Sequence, residues 1–130
     1  MNKRKILLAK NKIELCKKQK NSLEALLRLY HLNFQLLCFL LESSIPNLSL
    51  QHKKNKEVLA LLTQELEINP QLKTLINKKN SKPVKIWLRQ MDTTLKAMKH
   101  SLPKNTLSQI NQGEAVFLLL NISANKLFVK

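Results

Sequence analysis

Gly113 is the only glycine in 130 residues, where an average chain carries roughly 7%. Backbone at positive φ is cheapest for glycine, which has no Cβ to clash there, so tight turns recruit it. A chain this poor in glycine has few places to make the hairpins of an antiparallel sheet. Four valines and six aromatics supply little of what enriches strands, whereas leucine, lysine, glutamine and glutamate favour helix. The expected fold class is all-α: a bundle of about five helices with a long N-terminal helix. One domain over residues 1–130 is expected, with residues 1–20 read as a basic arm able to project from it. At this length folding buries roughly two-thirds of the unfolded chain's surface, and the 44% of apolar residues can fill the core.

Apolar spacing places the helices. Ile6, Ile13, Leu27, Phe34 and Leu41 recur at multiples of seven, with Ala9, Cys16, Leu23, Tyr30 and Leu37 between them. This is an a/d seam with a polar break at Lys20. It predicts one kinked helix over residues 3–43; the alternative is two helices divided near Asn21, which with Glu24 forms a capping box. Ser43-Ser44-Ile45-Pro46-Asn47 ends this unit, because proline disfavours helical backbone at the residue before it. Val58, Leu59, Leu62 and Leu66 predict a second helix. Asn69-Pro70 starts a short third, with an N-cap and proline at the first helical position. Lys78-Lys79-Asn80-Ser81-Lys82 reads as a polar turn. From Pro83, the series Val84, Leu88, Met91, Leu95, Met98 and Leu102 is spaced 4-3-4-3-4, the sharpest amphipathic signal in the chain. Thr106 and Gln109 offer a capping box for a last helix, although 115–120 is short and apolar enough to be a buried strand.

The net charge of +15 is uneven. Residues 1–20 hold eight basic residues against Glu14, a net +7, and residues 70–105 hold nine against Asp92, a net +8. At ~100° per residue, Lys82, Lys85, Arg89, Lys96 and Lys99 fall within about a 100° arc beside the apolar face, with Asp92 among them. Such a stripe suits a polyanion, because lysine and arginine neutralise phosphates and release condensed counterions without sequence-specific geometry. The candidate nucleic-acid-binding residues are therefore Lys82, Lys85, Arg89, Lys96 and Lys99, with Lys78 and Lys79 before them and Lys10, Lys17 and Lys18 from the N-terminal cluster. Trp87, Tyr30, Phe34 and Phe39 lie on or beside apolar faces, so backbone tracking is favoured over base stacking.

Val84-Lys85-Ile86-Trp87 is similar to the start of a homeodomain recognition helix, and residues 70–77 leading into 83–100 permit a helix-turn-helix reading. The likeness ends after four residues: Gln90 takes the place of that family's base-reading asparagine, and Met91 and Asp92 replace its basic pair. In size, basicity and helicity the chain also resembles small helical subunits of RNA-guided effector complexes and accessory ribosomal proteins, in type and not in motif.

No catalytic constellation emerges. His31, His52 and His100 show no metal-ligand spacing, Glu65 and Glu67 point to different sides of a helix, and one glycine cannot build a phosphate cradle. Arg28 precedes His31 by three residues and Arg89 precedes His100 by eleven, neither matching the arginine-to-histidine spacing of four to six found in small helical ribonucleases. No metal and no cofactor is expected. Cys16 and Cys38, 22 residues apart in one helical pattern, read as free thiols in a reducing, cytoplasmic compartment. The apolar run 36–41 is far short of the ~20 residues that span a bilayer, and Lys10 and Lys12 interrupt any signal-peptide core. The expected function is a non-catalytic nucleic-acid-binding subunit, contacting RNA or DNA without sequence specificity, with other protein subunits or copies of itself as partners and no membrane. The alternative is a helical adaptor or chaperone whose seams at 6–16 and 84–102 dock another helix.

Overall fold

The computed structural model describes residues 1–97 and 106–128. Six helices account for most of these residues, and the described residues contain no strand: α1 (Lys3–Lys18), α2 (Ser22–Ser44), α3 (Asn55–Ile68), α4 (Pro70–Leu75), α5 (Lys78–Ala97) and α6 (Thr106–Phe128). The all-α bundle is as expected, but the single long helix over 3–43 is two.

The division is local chemistry. Lys20 sits at φ 60°. Its N–H donates to Lys17 O at 3.0 Å, while Asn21 N–H donates to Cys16 O at 2.9 Å. This is the paired bonding of a Schellman motif, with lysine in the left-handed position usually given to glycine. Asn21 Oδ1 then accepts from Glu24 N–H at 3.3 Å and starts α2. The chain folds back, and Ile6 and Ile13 of α1 are buried against α2. Residues 3–18 are therefore packed on the bundle and do not project from it. Asn47 and His52, at φ 61° and 68°, shape the next loop. All three left-handed positions among the described residues are non-glycine.

The one glycine lies instead in the middle of α6. A Cβ there would overlap the Trp87 ring and come within 2.7 Å of Leu29 Cδ2. Gly113 thus marks where α2, α5 and α6 converge, and Asn33 Nδ2, fully buried on α2, donates to its carbonyl at 3.0 Å. Segment 115–120 continues α6, whose backbone bonds are met within the helix.

Helix α2 is the centre of the bundle and meets each of the other five. Leu26, Leu29, Leu36, Leu37, Leu40 and Leu41 on it are wholly buried; burying each contributes about 1.5–3 kcal/mol. Several lie outside the heptad seam, because α2 is enclosed on more sides than a coiled-coil helix. Of the seams considered for an external helix, Ile6, Ile13, Val84, Leu88 and Met91 lie in the chain's own core.

Asn69 caps α4 through Leu72 N–H at 3.1 Å and donates to Ser44 O at 3.0 Å, joining α4 to the end of α2. Helix α5 begins at Lys78, five residues before the expected restart at Pro83. Asn77 provides the start: its Oδ1 accepts from Asn80 N–H at 2.8 Å and its carbonyl from Ser81 N–H at 3.0 Å. Pro83 in the second turn loses the bond to Lys79 O and crowds that carbonyl with its ring, yet the segment read as a polar turn is helical. Met98, Leu102, Lys99 and His100 fall outside the described residues.

Candidate nucleic-acid interface

Helix α5 is oriented by its buried face. Val84, Leu88 and Met91 are fully buried, and Trp87, 2% exposed, donates Nε1–H to Gln109 O at 2.8 Å. Asn55 Nδ2 donates to Leu88 O at 2.8 Å and holds α3 alongside, antiparallel. With rotation thus fixed, Lys82, Lys85 and Arg89 run along the outer edge of α5 beside α3. Lys82 and Arg89 are exposed and pair with no carboxylate among the described residues. Lys85 is half-buried and donates to Thr63 Oγ1 at 3.3 Å. Lys79 is exposed beside the stripe.

The ends of the stripe carry counter-charges. Lys78 meets Glu67 at 2.6 Å and Lys96 meets Asp92 at 3.2 Å. The Lys78 hydrogen bond holds the Glu67 carboxyl below its ordinary range. Both pairs are well exposed, and pairs of this kind contribute about 0–1 kcal/mol, so a phosphate can replace the carboxylate at little cost.

Between α3 and α5 lies a groove of ≈ 420 Å³ with Leu59 and Ala60 in its wall, Lys56 on one side and Arg89 and Asp92 on the other. Lys56 was missed in the sequence because residues 21–69 nearly cancel in charge; the run Lys53-Lys54-Asn55-Lys56 was its only signal. Beneath the groove, burial pushes the Tyr30 phenol up, the Asp92 charge adds to this, and a side-chain hydrogen bond with Asn55 pulls the other way.

The N-terminal candidates do not join this surface. Lys10 Nζ bonds Glu14 at 3.0 Å and Glu114 at 3.3 Å, and lies 5.4 Å from the Phe117 ring centroid. Lys17 Nζ bonds Glu114 at 2.7 Å and approaches Glu14 to 3.6 Å. These four charges tie α1 to α6. The Lys10 hydrogen bond holds Glu14 below its ordinary value, and the Glu114 hydrogen bond raises Lys17. Lys10 and Lys17 are thus engaged in holding the fold, while Lys18 is exposed.

Among the described residues no group of three or more His, Cys, Asp and Glu could hold a metal. Cys16 and Cys38 are free, and burial, with Glu42 adding, pushes the Cys38 thiol up to about 12. No helix among the described residues is long and apolar enough to cross a membrane. The chain matches no protein-family model, no curated protein and no solved structure.

Proposed function

We propose that this chain is a non-catalytic nucleic-acid-binding subunit that contacts phosphates through the α5–α3 face and works within a larger cytoplasmic complex. The observation that carries the reading is the distribution of charge pairing. Glu14, Glu24, Glu57, Glu67, Asp92 and Glu114 are already in ion pairs, yet Lys82, Lys85 and Arg89 line up on one helix edge with Lys56 across the groove and form no ion pair among the described residues, Lys85 acting on Glu67 only through its charge. Lys82 and Arg89 are seven residues apart, about 10 Å along the axis, so several phosphates of one strand can be engaged together. The two free thiols support the cytoplasmic placement.

The test is binding of labelled single- and double-stranded RNA and DNA across a salt series. The wild type should bind at low salt, and Lys82→Glu/Lys85→Glu/Arg89→Glu should weaken binding and flatten the log–log salt slope by about 2–3, from ~0.7–0.9 per lost phosphate contact. A wild type that ignores all four ligands at low salt refutes the reading. So does a triple variant of unchanged affinity and slope.

A second reading, docking of a protein partner, has its own observation. Leu107, Leu118 and Ile122 are 69%, 60% and 60% exposed and fall on one outer face of α6. Leu118 and Ile122 are one turn apart; contiguous apolar exposure marks interaction surfaces, and binding there should barely respond to salt.

A further inference from the structure

The division of the N-terminal segment creates a second basic surface. Folding α1 back on α2 brings Lys5 and Lys12 opposite Arg28, His31 and Gln35 across a cleft of ≈ 310 Å³, with Leu8 and Leu32 in its wall. In one continuous helix Lys5 and Arg28 would stand about 35 Å apart. Residues 5 and 12 share one face of α1, as 28, 31 and 35 share one of α2. No carboxylate lines the cleft among the described residues.

We propose that this cleft is a phosphate-binding site, separate from the α5 stripe and not dependent on it. On α2, the residues facing the cleft lie roughly 130° round the helix from Tyr30, whose ring meets Trp87 of α5 at 6.4 Å. The cleft and the stripe therefore face different sides of the bundle. The donors suit a tetrahedral oxyanion. Arg28 Nε bonds Glu24 at 2.9 Å, which leaves its two terminal nitrogens for a bidentate contact. His31 is buttressed edge-on by the Tyr30 ring at 5.6 Å. Two ammonium groups stand opposite, and Gln35 adds an amide donor.

Among the described ion pairs, Glu24 alone offsets a cation of the cleft. Lys5 also belongs to a first turn of α1 that carries Lys3, Arg4 and no acid, at the helix end where the macrodipole disfavours cations. A bound phosphate would offset this charge at the helix end and lie between the cations of the two helices.

The experiment is an NMR titration of the isotope-labelled full chain with inorganic phosphate and pyrophosphate at constant ionic strength. Two oligonucleotides of one sequence, with and without a 5′-phosphate, complete the set. With the two inorganic anions, saturable shifts centred on Arg28, His31, Gln35, Lys5 and Lys12 are expected, and the oligonucleotides are read at the same five residues. Arg28→Gln and Lys12→Gln, both at exposed positions, should each weaken pyrophosphate binding about tenfold, while the Lys82/Lys85/Arg89 triple variant leaves it unchanged. Stronger shifts with the 5′-phosphorylated oligonucleotide would identify a strand end as the source; equal shifts with both would identify internal phosphodiesters; shifts with the inorganic anions alone would identify a small phosphate. Absence of saturable shifts at these five residues with every probe, or pyrophosphate affinity unchanged in both single variants, overturns the site. Loss of oligonucleotide binding in the triple variant alone bears on the α5 reading and leaves this one standing.

Discussion

Gly113→Ala separates packing from helix propensity, because the two predict opposite signs. In an unencumbered helix the substitution gains about 0.8–1 kcal/mol. At this site the new methyl would overlap the Trp87 ring and lie 2.7 Å from Leu29 Cδ2. Leu29 can turn its tip aside. The indole cannot, since it is 2% exposed and its Nε1–H is bonded to Gln109 O at 2.8 Å. Overpacking costs typically ~1–3 kcal/mol, and straining the indole hydrogen bond adds about 0.5–1.5 kcal/mol. Against the propensity gain, a net loss of about 0.5–4 kcal/mol remains, or roughly 4 °C of melting temperature per kcal/mol at this chain length. Denaturant and thermal unfolding measure it, and the fluorescence of Trp87, the only tryptophan, reports the displaced ring. In a Trp87→Phe background, which removes the clashing part of the indole, the cost should shrink. A Gly113→Ala variant as stable as the wild type would refute the convergence of α2, α5 and α6 at this point.

Lys20→Gly should stabilise the fold by about 0.5–1 kcal/mol in urea unfolding, because glycine holds φ 60° without the Cβ penalty but brings a more flexible unfolded chain; lower stability would argue against the Schellman turn. Glu114→Gln removes the 2.7 Å contact to Lys17 and the 3.3 Å contact to Lys10, costs about 1 kcal/mol at these part-exposed positions, and should speed hydrogen exchange in α1 more than in α2. The same network sets a pH window. The lowered Glu14 stabilises the fold above its ordinary value of 4.5 and loses this as pH falls through its folded value. The raised Lys17 contributes below 10.5 and loses this as pH rises through its folded value. Acid unfolding of Glu14→Gln, monitored by circular dichroism, should lack the first of these losses. Cys38, pushed up to about 12, should resist iodoacetamide at pH 8 in the folded protein, and stability should fall above pH 9.0 as the unfolded thiol ionises first; rapid alkylation mapped by mass spectrometry would contradict its burial.

Local rules made much of this fold legible. Periodicity located α3 and the body of α5, Asn69-Pro70 located α4, and the Asn21–Glu24 pair marked the start of α2, because a cap is settled by side chains within four residues of it. The α5 stripe was legible for the same reason: residues three and four apart share a helix face in any bundle. What needed the tertiary structure were meetings across helices. The seam through Lys20 kept its heptad phase on both sides, so period alone favoured one helix, and only the chain folding back could show that α1 buries Ile6 and Ile13 on α2. Equal lysines then acquired unequal roles: Lys10 and Lys17 are bound to Glu114, about a hundred positions away, whereas Lys5 and Lys12 face Arg28 and His31 across a cleft. Composition counted one glycine and implied few left-handed turns; Lys20, Asn47 and His52 make those turns instead, and Gly113 serves where three helices leave no room for a Cβ. Charge and period are properties of the chain, but which charges find partners is decided by packing, because Coulomb attraction and overlap both depend on distances that the sequence order does not contain.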